Sequence, residues 1–412
     1  MSSSPLGLFD AYGIEMEYML VDQETLNVRP MADQVLAAMA GHTTCDVEIG
    51  PVSWSNELAL HVIELKTTDP AKRLRPLPSI FEKAIGDLKV VLDQFQLQLL
   101  PTAVHPWMDP TSETQLWPHQ YSEIYQTYDQ IFNCHSHGWS NVQSVHLNLP
   151  FSGDQEFGRL HAAVRILLPL LPAMAASSPV LDGRYSGLLD TRMKLYADHC
   201  SRVPCMTGDL VPEAIFDEAS YRQQIFEQIA RDVAPLDPKG VMKVDFMNAR
   251  GAIARFDRGS IELRVMDVQE YPGADVAICA AVAAVLRALC DERWSTLEQQ
   301  KLVPTAVLAE LLEQTSVHAE GCVIENGELL RHFGIDKPKI TAKKLWATLL
   351  EQLRRTDLSL NNLFAPLEVI LETGTLATRI KRGLGPEFSR TRLVDVYREV
   401  ADCLVQWEPF QP

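Results

Sequence analysis

Between residues 13 and 22 the chain reads Gly-Ile-Glu-Met-Glu-Tyr-Met-Leu-Val-Asp. Successive side chains of a strand point to opposite faces, so Ile14, Met16, Tyr18 and Leu20 predict one apolar face, and Glu15 and Glu17 one acidic face. The same two-residue rhythm returns at three further places. Over 57–67, Glu64 and Lys66 share a face with Leu58, Leu60 and Val62; Glu57 falls on the other face unless a bulge, a bend or an approach loop intervenes. Over 144–150, Ser144, His146 and Asn148 oppose Val145, Leu147 and Leu149, and Pro150 ends the run. Over 260–266, after a hairpin turn at 255–259, Ser260, Glu262 and Arg264 oppose Ile261, Leu263 and Val265. Residues 241–247 also alternate.

A helical rhythm predicts helices over 30–40, over 78–100 with the stripe Ile80, Ala84, Leu88, Val91, Leu92, Phe95 and Leu99, and over 154–176, capped by Asp154 and kinked at Pro169. Pro272 opens a nearly all-apolar helix through Leu289, expected on the back of the sheet. Residues 107–128 read as loop followed by helix, and 183–212, where Arg184, Arg192, Lys194, Tyr196 and Arg202 lie close together, as either a mobile substrate-facing loop or, for each of these residues taken alone, a solvated one. From 293 onward the pattern is mainly helical, with loops at 321–327 and 374–385. No internal repeat or low-complexity linker divides the chain. The expectation is one catalytic domain, 1–412, with its core sheet mostly within 12–270 and a mainly helical part over 271–412.

Composition narrows the function classes. With 46% hydrophobic and 22% charged residues, the chain is an ordinary globular protein and not a disordered one. A formal charge of −17 argues against nucleic acid or anionic membrane as a partner, because both need a basic footprint. Residues 1–10 hold no basic residue and no long apolar run, so no secretory signal is expected. The apolar stretches 164–176 and 277–286 are too short, or too broken by proline, to span a bilayer. Eight scattered cysteines form no metal doublet or disulfide framework, which fits reduced thiols in the cytoplasm. Cys134, His135 and His137 lack a second ligand pair, so a loop is preferred there to a zinc site.

The chemistry gathers on the polar faces. Glu15, Glu17, Glu64, His146, Asn148, Glu262 and Arg264, with Glu57 as an addition, offer several carboxylates and one imidazole. That donor set suits Mg²⁺ or Mn²⁺, more than one ion, better than zinc or copper. The competing reading is an exposed sheet face on which Glu262 and Arg264 merely pair. Carboxylates that hold metals beside arginine meet the needs of phosphoryl transfer from a nucleotide. No Gly-x-x-x-x-Gly-Lys-Ser/Thr run and no Gly-x-Gly-x-x-Gly after a strand occurs, so ATP would have to be held by metals on the sheet.

In chain order, Gly13-Ile-Glu-Met-Glu-Tyr, the Glu57/Glu64 stretch, Val145-His-Leu-Asn-Leu and Ser260-Ile-Glu-Leu-Arg-Val-Met-Asp267 resemble the glutamate-cysteine ligase family. The likeness extends to the broader carboxylate-amine ligases related to glutamine synthetase, with a weaker echo at Gly374-Thr-Leu-Ala-Thr-Arg379. The resemblance implies an α+β fold: a curved, largely antiparallel sheet forming an active-site funnel, with helices on its outer side. It implies activation of a carboxylate, such as the side chain of glutamate, as an acyl phosphate by ATP, followed by attack of an amine, with cysteine one candidate. Carried over by motif, Glu15, Glu17, Glu57, Glu64, His146 and Glu262 are metal ligands, and Glu262 and Arg264 are catalytic. Arg264 contacts the transferred phosphate, Arg379 the nucleotide, and Asn148, Arg192 and Tyr196 the substrate. The partners expected are small molecules, and a homo-oligomer is compatible with the sequence. The alternatives are a guanidino or carboxylate kinase on the same fold, or a non-catalytic nucleotide-binding protein.

Overall fold

Gly13–Asp22 forms the expected strand, β1, in a computed structural model that describes residues 5–412. In chain order there follow β2 (Asp46–Ile49), β3 (Val52–Asn56), β4 (Val62–Thr67), β5 (Leu97–Leu100), β6 (Ser144–Pro150), β7 (Val180–Leu181) and β8 (Arg184–Tyr185). The last four are β9 (Ala252–Arg255), β10 (Ser260–Asp267), β11 (Val323–Ile324) and β12 (Ile340–Thr341). Eight strands make one curved antiparallel sheet in the order β2-β3-β4-β1-β6-β10-β9, with β5 also pairing to β1. β1 is shared: Gly13 to Met16 pair with β6, and Met19 to Asp22 with β5. The four short strands pair as β7 with β8 and β11 with β12.

The apolar side of this sheet carries Ile14, Met16, Tyr18 and Leu20 of β1, Ile63 and Leu65 of β4, Leu147 of β6, and Ile261, Leu263 and Val265 of β10. All are fully buried. Helices cover that side, which makes the fold α+β. Helix Pro272–Cys290 is buried on nearly every side, which explains its unbroken apolar sequence. It is long and apolar enough to cross a membrane, but the protein's own core surrounds it.

The other face of β1 changes character along its length. Glu15 and Glu17 stand on it first; Met19 and Val21 follow and are buried under Leu376, Ile380, Tyr397 and Val400 from the C-terminal helices. Those helices therefore close one end of the polar face, and the carboxylates lie just beyond the closure.

Several elements differ from expectation for identifiable reasons. The helix at 78–100 is Leu77–Gln94; Gln96 takes a left-handed conformation (φ 57°), the chain reverses, and Leu97–Leu100 pairs with β1 instead of extending the apolar stripe. Glu57 lies on the connection between β3 and β4, so 57–67 is not one strand. Residues 241–247 are no strand: Val244–Phe246 is a single 3₁₀ turn, and the edge beside β10 is taken by β9. Helix Gly153–Leu167 has Ser152 at its cap position; Asp154 sits inside the first turn and accepts the Glu218 N–H. That helix gives way at Leu168–Leu170 to a 3₁₀ turn around Pro169. Within 183–212, Thr191–Asp198 is a helix capped by Asp190, so the segment is not simply a loop. Likewise 374–385 holds helix Leu376–Leu384, capped by Thr375.

Candidate active site

Register alone assembles the site. Residues directly opposite each other in antiparallel strands project to the same face. Glu15 lies opposite Lys66 on one side and His146 on the other, Glu17 opposite Glu64, and Glu64 opposite Ser55. Asn148 is opposite Gly13 and Glu262, and Ser260 is opposite Arg255. At Gly13 a Cβ would come within 3.0 Å of the Asn148 Cβ. The missing side chain lets Asn148 lean across and donate to Glu15 Oε1 at 3.1 Å.

At the centre, His146 Nδ1 is 3.1 Å from Glu15 Oε2 and 3.7 Å from Glu262 Oε1. One donor atom each from Glu15, His146 and Glu262 lies within 4.8 Å of the others, the only such acidic or histidine cluster of three among the described residues. Neighbouring ligands of a small octahedral cation with bonds near 2.1 Å stand about 3 Å apart. The group therefore fits Mg²⁺ or Mn²⁺ with little adjustment. His146 Nε2 turns to Ser144 Oγ at 2.9 Å, and Ser144 donates its N–H to Glu17 Oε2 at 2.7 Å.

The electrostatics favour added positive charge. Burial raises the Glu57 carboxyl well above the carboxylate range, and the charges of Glu64 and Glu17 push it the same way. Burial also raises Glu64, with Glu15 adding to it, even though Lys66 Nζ lies 2.9 Å away and the Ser55 hydroxyl donates at 2.8 Å. For Glu15 burial is outweighed by the hydrogen bond and charge of His146, helped by Lys66 and Arg264, and its carboxyl is held down at about 2. Burial lowers the His146 imidazole, but the Glu15 hydrogen bond and the charges of Glu17 and Glu262 carry it above its ordinary value.

Two connected spaces meet here. The cleft, about 620 Å³, is lined by Glu15, Glu17, Glu57, Glu64, Lys66, His146, Asn148, Arg255, Glu262 and Arg264. A smaller pocket of about 170 Å³ shares Glu17, Glu57, His146 and Arg264, and its walls add Tyr128, Trp139, Arg192, Tyr196 and His199. Arg264 spans both: its Nε is 3.1 Å from Glu262 Oε1, and its Nη1 donates to the Tyr196 hydroxyl at 3.3 Å.

Of the residues expected from the sequence, Glu15, Glu17, Glu57, Glu64, His146, Asn148, Glu262 and Arg264 line the cleft, and Arg192 and Tyr196 line the adjoining pocket. Arg379 does not join them. It is 1% exposed and donates to Glu270 at 2.5 Å and to the carbonyls of Gly374 and Phe410, so it holds the C-terminal segment in place. His137 Nε2 faces Asp182 at 3.2 Å, and Cys134 is buried. The sequence reading did not place Ser55, which donates to Glu64, or Arg255, which lines the cleft, in the site. Arg255 was within reach, because a hairpin turning at 256–259 must set it opposite Ser260 and on the face of Glu262.

Comparison with known proteins adds three findings. Residues 11–399 match the model of glutamate-cysteine ligase family 2. An uncharacterized protein of Archaeoglobus fulgidus is 32% identical over 97% of this chain and 99% of its own; a putative glutamate-cysteine ligase of Rubrobacter xylanophilus is 24% identical over 68% of this chain and 69% of its own. The crystal structure of glutamate-cysteine ligase from Francisella tularensis in complex with AMP superposes with a TM-score of 0.60, covering 98% of this chain and 91% of that one. Its sequence is 13% identical, so this last likeness is one of fold.

Proposed function

The chain belongs to glutamate-cysteine ligase family 2, and from that premise we propose that it is an ATP-dependent carboxylate-amine ligase. It activates the side-chain carboxylate of glutamate, or of a similar acid, as an acyl phosphate and joins it to an amine, with cysteine one candidate. The observation that carries this reading is the convergence of Glu15, His146 and Glu262, from three different strands, to within ligand distance of one another beside Arg264.

In the first step the acid's carboxylate oxygen attacks the terminal phosphorus of ATP and ADP leaves. In the second, the amine nitrogen attacks the acyl carbon, the carbon–oxygen bond to phosphate breaks, and phosphate and a proton depart. Mg²⁺ or Mn²⁺ ions, held by Glu15, Glu17, Glu57, Glu64, His146 and Glu262, neutralise phosphate charge when bound. Arg264 contacts the phosphate in transfer, because its planar fork matches that group and the Tyr196 hydroxyl orients it. Asn148 fixes Glu15 and faces the cleft; Arg192 and Tyr196 border the acid. The catalytic unit is the whole chain, 1–412, since the C-terminal helices pack directly on β1. Its eight free thiols suit the cytoplasm.

The test is release of ADP and phosphate from ATP and Mg²⁺ with glutamate and a mixed amine pool, followed by mass spectrometry of the products. Release that requires both an acid and an amine, with an amide of matching mass, supports the reading. A stable phosphorylated product without amide, seen by phosphorus NMR, would make the protein a phosphotransferase; no ATP turnover across the panel would end the ligase reading.

A further inference from the structure

Six side chains of the cleft are candidate metal ligands, yet only Glu15, His146 and Glu262 come within 4.8 Å of one another. The other side of Glu15 faces a cation that the protein supplies itself. Lys66 lies directly opposite Glu15 across β1 and β4, as His146 does across β1 and β6. Among the described residues it is the one lysine lining the cleft. Its Nζ donates to Glu64 Oε1 at 2.9 Å and to Ser55 Oγ at 2.7 Å, and Asp46 Oδ1 stands 3.5 Å away. The Ser55 hydroxyl closes the triangle by donating to the same Glu64 oxygen at 2.8 Å. Three neighbouring strands, β2, β3 and β4, therefore each send one group to this ammonium, and its three N–H directions point at fixed acceptors.

The place it fills is one that a metal would otherwise take. Adjacent strands set carboxylates close together there, and such a cluster needs positive charge between its members. A divalent ion bonded to Glu64 Oε1 at about 2.1 Å would stand no farther than about 5 Å from the ammonium. Two cations at that range, inside a partly enclosed cleft, repel, so the ammonium and an ion exclude each other from this oxygen. Glu64 Oε2 accepts neither of the two bonds and is left for the ion assigned to that residue.

We propose that Lys66 is a built-in counter-ion: its ammonium takes the place of a divalent cation on the Glu64 side of Glu15, so the site takes up one ion fewer than its carboxylates would otherwise hold. This rests on the reading of Glu15, Glu64 and Glu262 as metal ligands of a ligase. It concerns the number of ions bound and no step of the reaction.

The experiment counts Mn²⁺ per chain on the full-length protein by equilibrium dialysis, with the free ion read by electron paramagnetic resonance. It is run without and with a non-hydrolysable ATP analogue, against a blank of the analogue alone. Lys66→Met should bind one Mn²⁺ more than the wild type in at least one of the two conditions. Because a carboxylate cluster stripped of its counter-ion is destabilised until an ion arrives, its melting temperature should also rise more from EDTA to Mn²⁺ than that of the wild type. Lys66→Gln, which can still donate to Glu64 and Ser55, should behave the same way and covers the case in which Lys66→Met fails to fold. Lys66→Arg keeps the charge and should keep the wild-type count. Equal counts in the wild type and a folded neutral variant, in both conditions, overturn the proposal; so does an extra ion in Lys66→Arg, which would make packing and not charge the cause. A wild type that binds Mn²⁺ but turns over no ATP with any acid and amine loses the ligase reading and leaves the count to be judged on its own. A wild type that binds no Mn²⁺ at all removes the metal site and this proposal with it.

Discussion

Replacing Glu262 by Gln preserves the shape of the side chain and removes one negative charge from the centre of the cleft. Glu262 is 5% exposed; its Oε1 lies 3.1 Å from Arg264 Nε and 3.7 Å from His146 Nδ1, and its Oε2 lies 3.6 Å from Arg255 Nη1. In chelator, Glu262→Gln takes the paired anion from Arg264 and leaves the buried Arg255 with only Asp257, 3.5 Å from its Nε. Breaking a buried ion pair costs about 3–5 kcal/mol, and since neither contact is bidentate the low end, about 3 kcal/mol, is expected. A bound cation widens the gap by linkage. At a hundred times its Kd, a ligand stabilises the wild type by about 2.7 kcal/mol; a variant that binds it roughly a hundredfold more weakly gains only about 0.4 kcal/mol at the same concentration. The assay is a set of thermal melts of both proteins in EDTA and along Mg²⁺ and Mn²⁺ series, with turnover measured in parallel. Equal metal-induced shifts in the two proteins would refute Glu262 as a ligand. Normal turnover in the variant would remove it from the mechanism.

Arg264→Lys should lower kcat on the order of a hundredfold, because a point charge cannot reproduce the fork; steady-state ADP release checks this, and unchanged kinetics would reduce the residue to a partner of Glu262. Gly251→Ala places a Cβ 2.5 Å from Val265 Cγ1 and 3.1 Å from the Leu210 carbonyl, at the residue whose carbonyl accepts the Arg264 N–H. A loss of about 1–3 kcal/mol in denaturant unfolding is expected, and wild-type stability would contradict the packing described. Phe81→Ala should cost about 3–5 kcal/mol, since Phe81 is fully buried behind the sheet. Burial holds His61 at about 4 and His105 and His161 at about 3, against 6.5 for a solvated imidazole. Their folded values are depressed, so the unfolded chain binds the protons: this stability is whole above pH 6.5 and drains as pH falls toward 4 and then 3. By pH 5 each imidazole costs about 2 kcal/mol. A melting temperature that does not fall between pH 7 and pH 5 would contradict that account.

Much of the site was legible because its chemistry obeys the period of a strand. Glu15 and Glu17, His146 and Asn148, and Glu262 and Arg264 each sit two apart against an apolar stripe, and all six meet on one face. Glu57 joins them through the connection before β4, the bend that its odd spacing demanded. What stayed hidden has physical causes. Leu97–Leu100 continues the apolar run of the preceding helix, and only the left-handed Gln96 separates the two. β9 is short and its small side chains carry no visible rhythm. The alternation over 241–247 goes unused, because the place beside β10 is taken by β9. Arg379 could not be placed from its motif, since its partners Glu270 and Phe410 lie far away in sequence.

The carboxylates of β1 are synthesised first and the strand bearing Glu262 and Arg264 long afterwards, with β4 and β6 between them. At the ordinary pace of a ribosome, roughly 5–20 residues per second, something like 10–50 s separates the first acid from the last basic group that answers it. Through that interval the nascent strand carries crowded negative charge on one side and bare apolar surface on the other, and an amino-terminal fragment that stops short of β10 lacks the wall of the cleft that Glu262 and Arg264 supply.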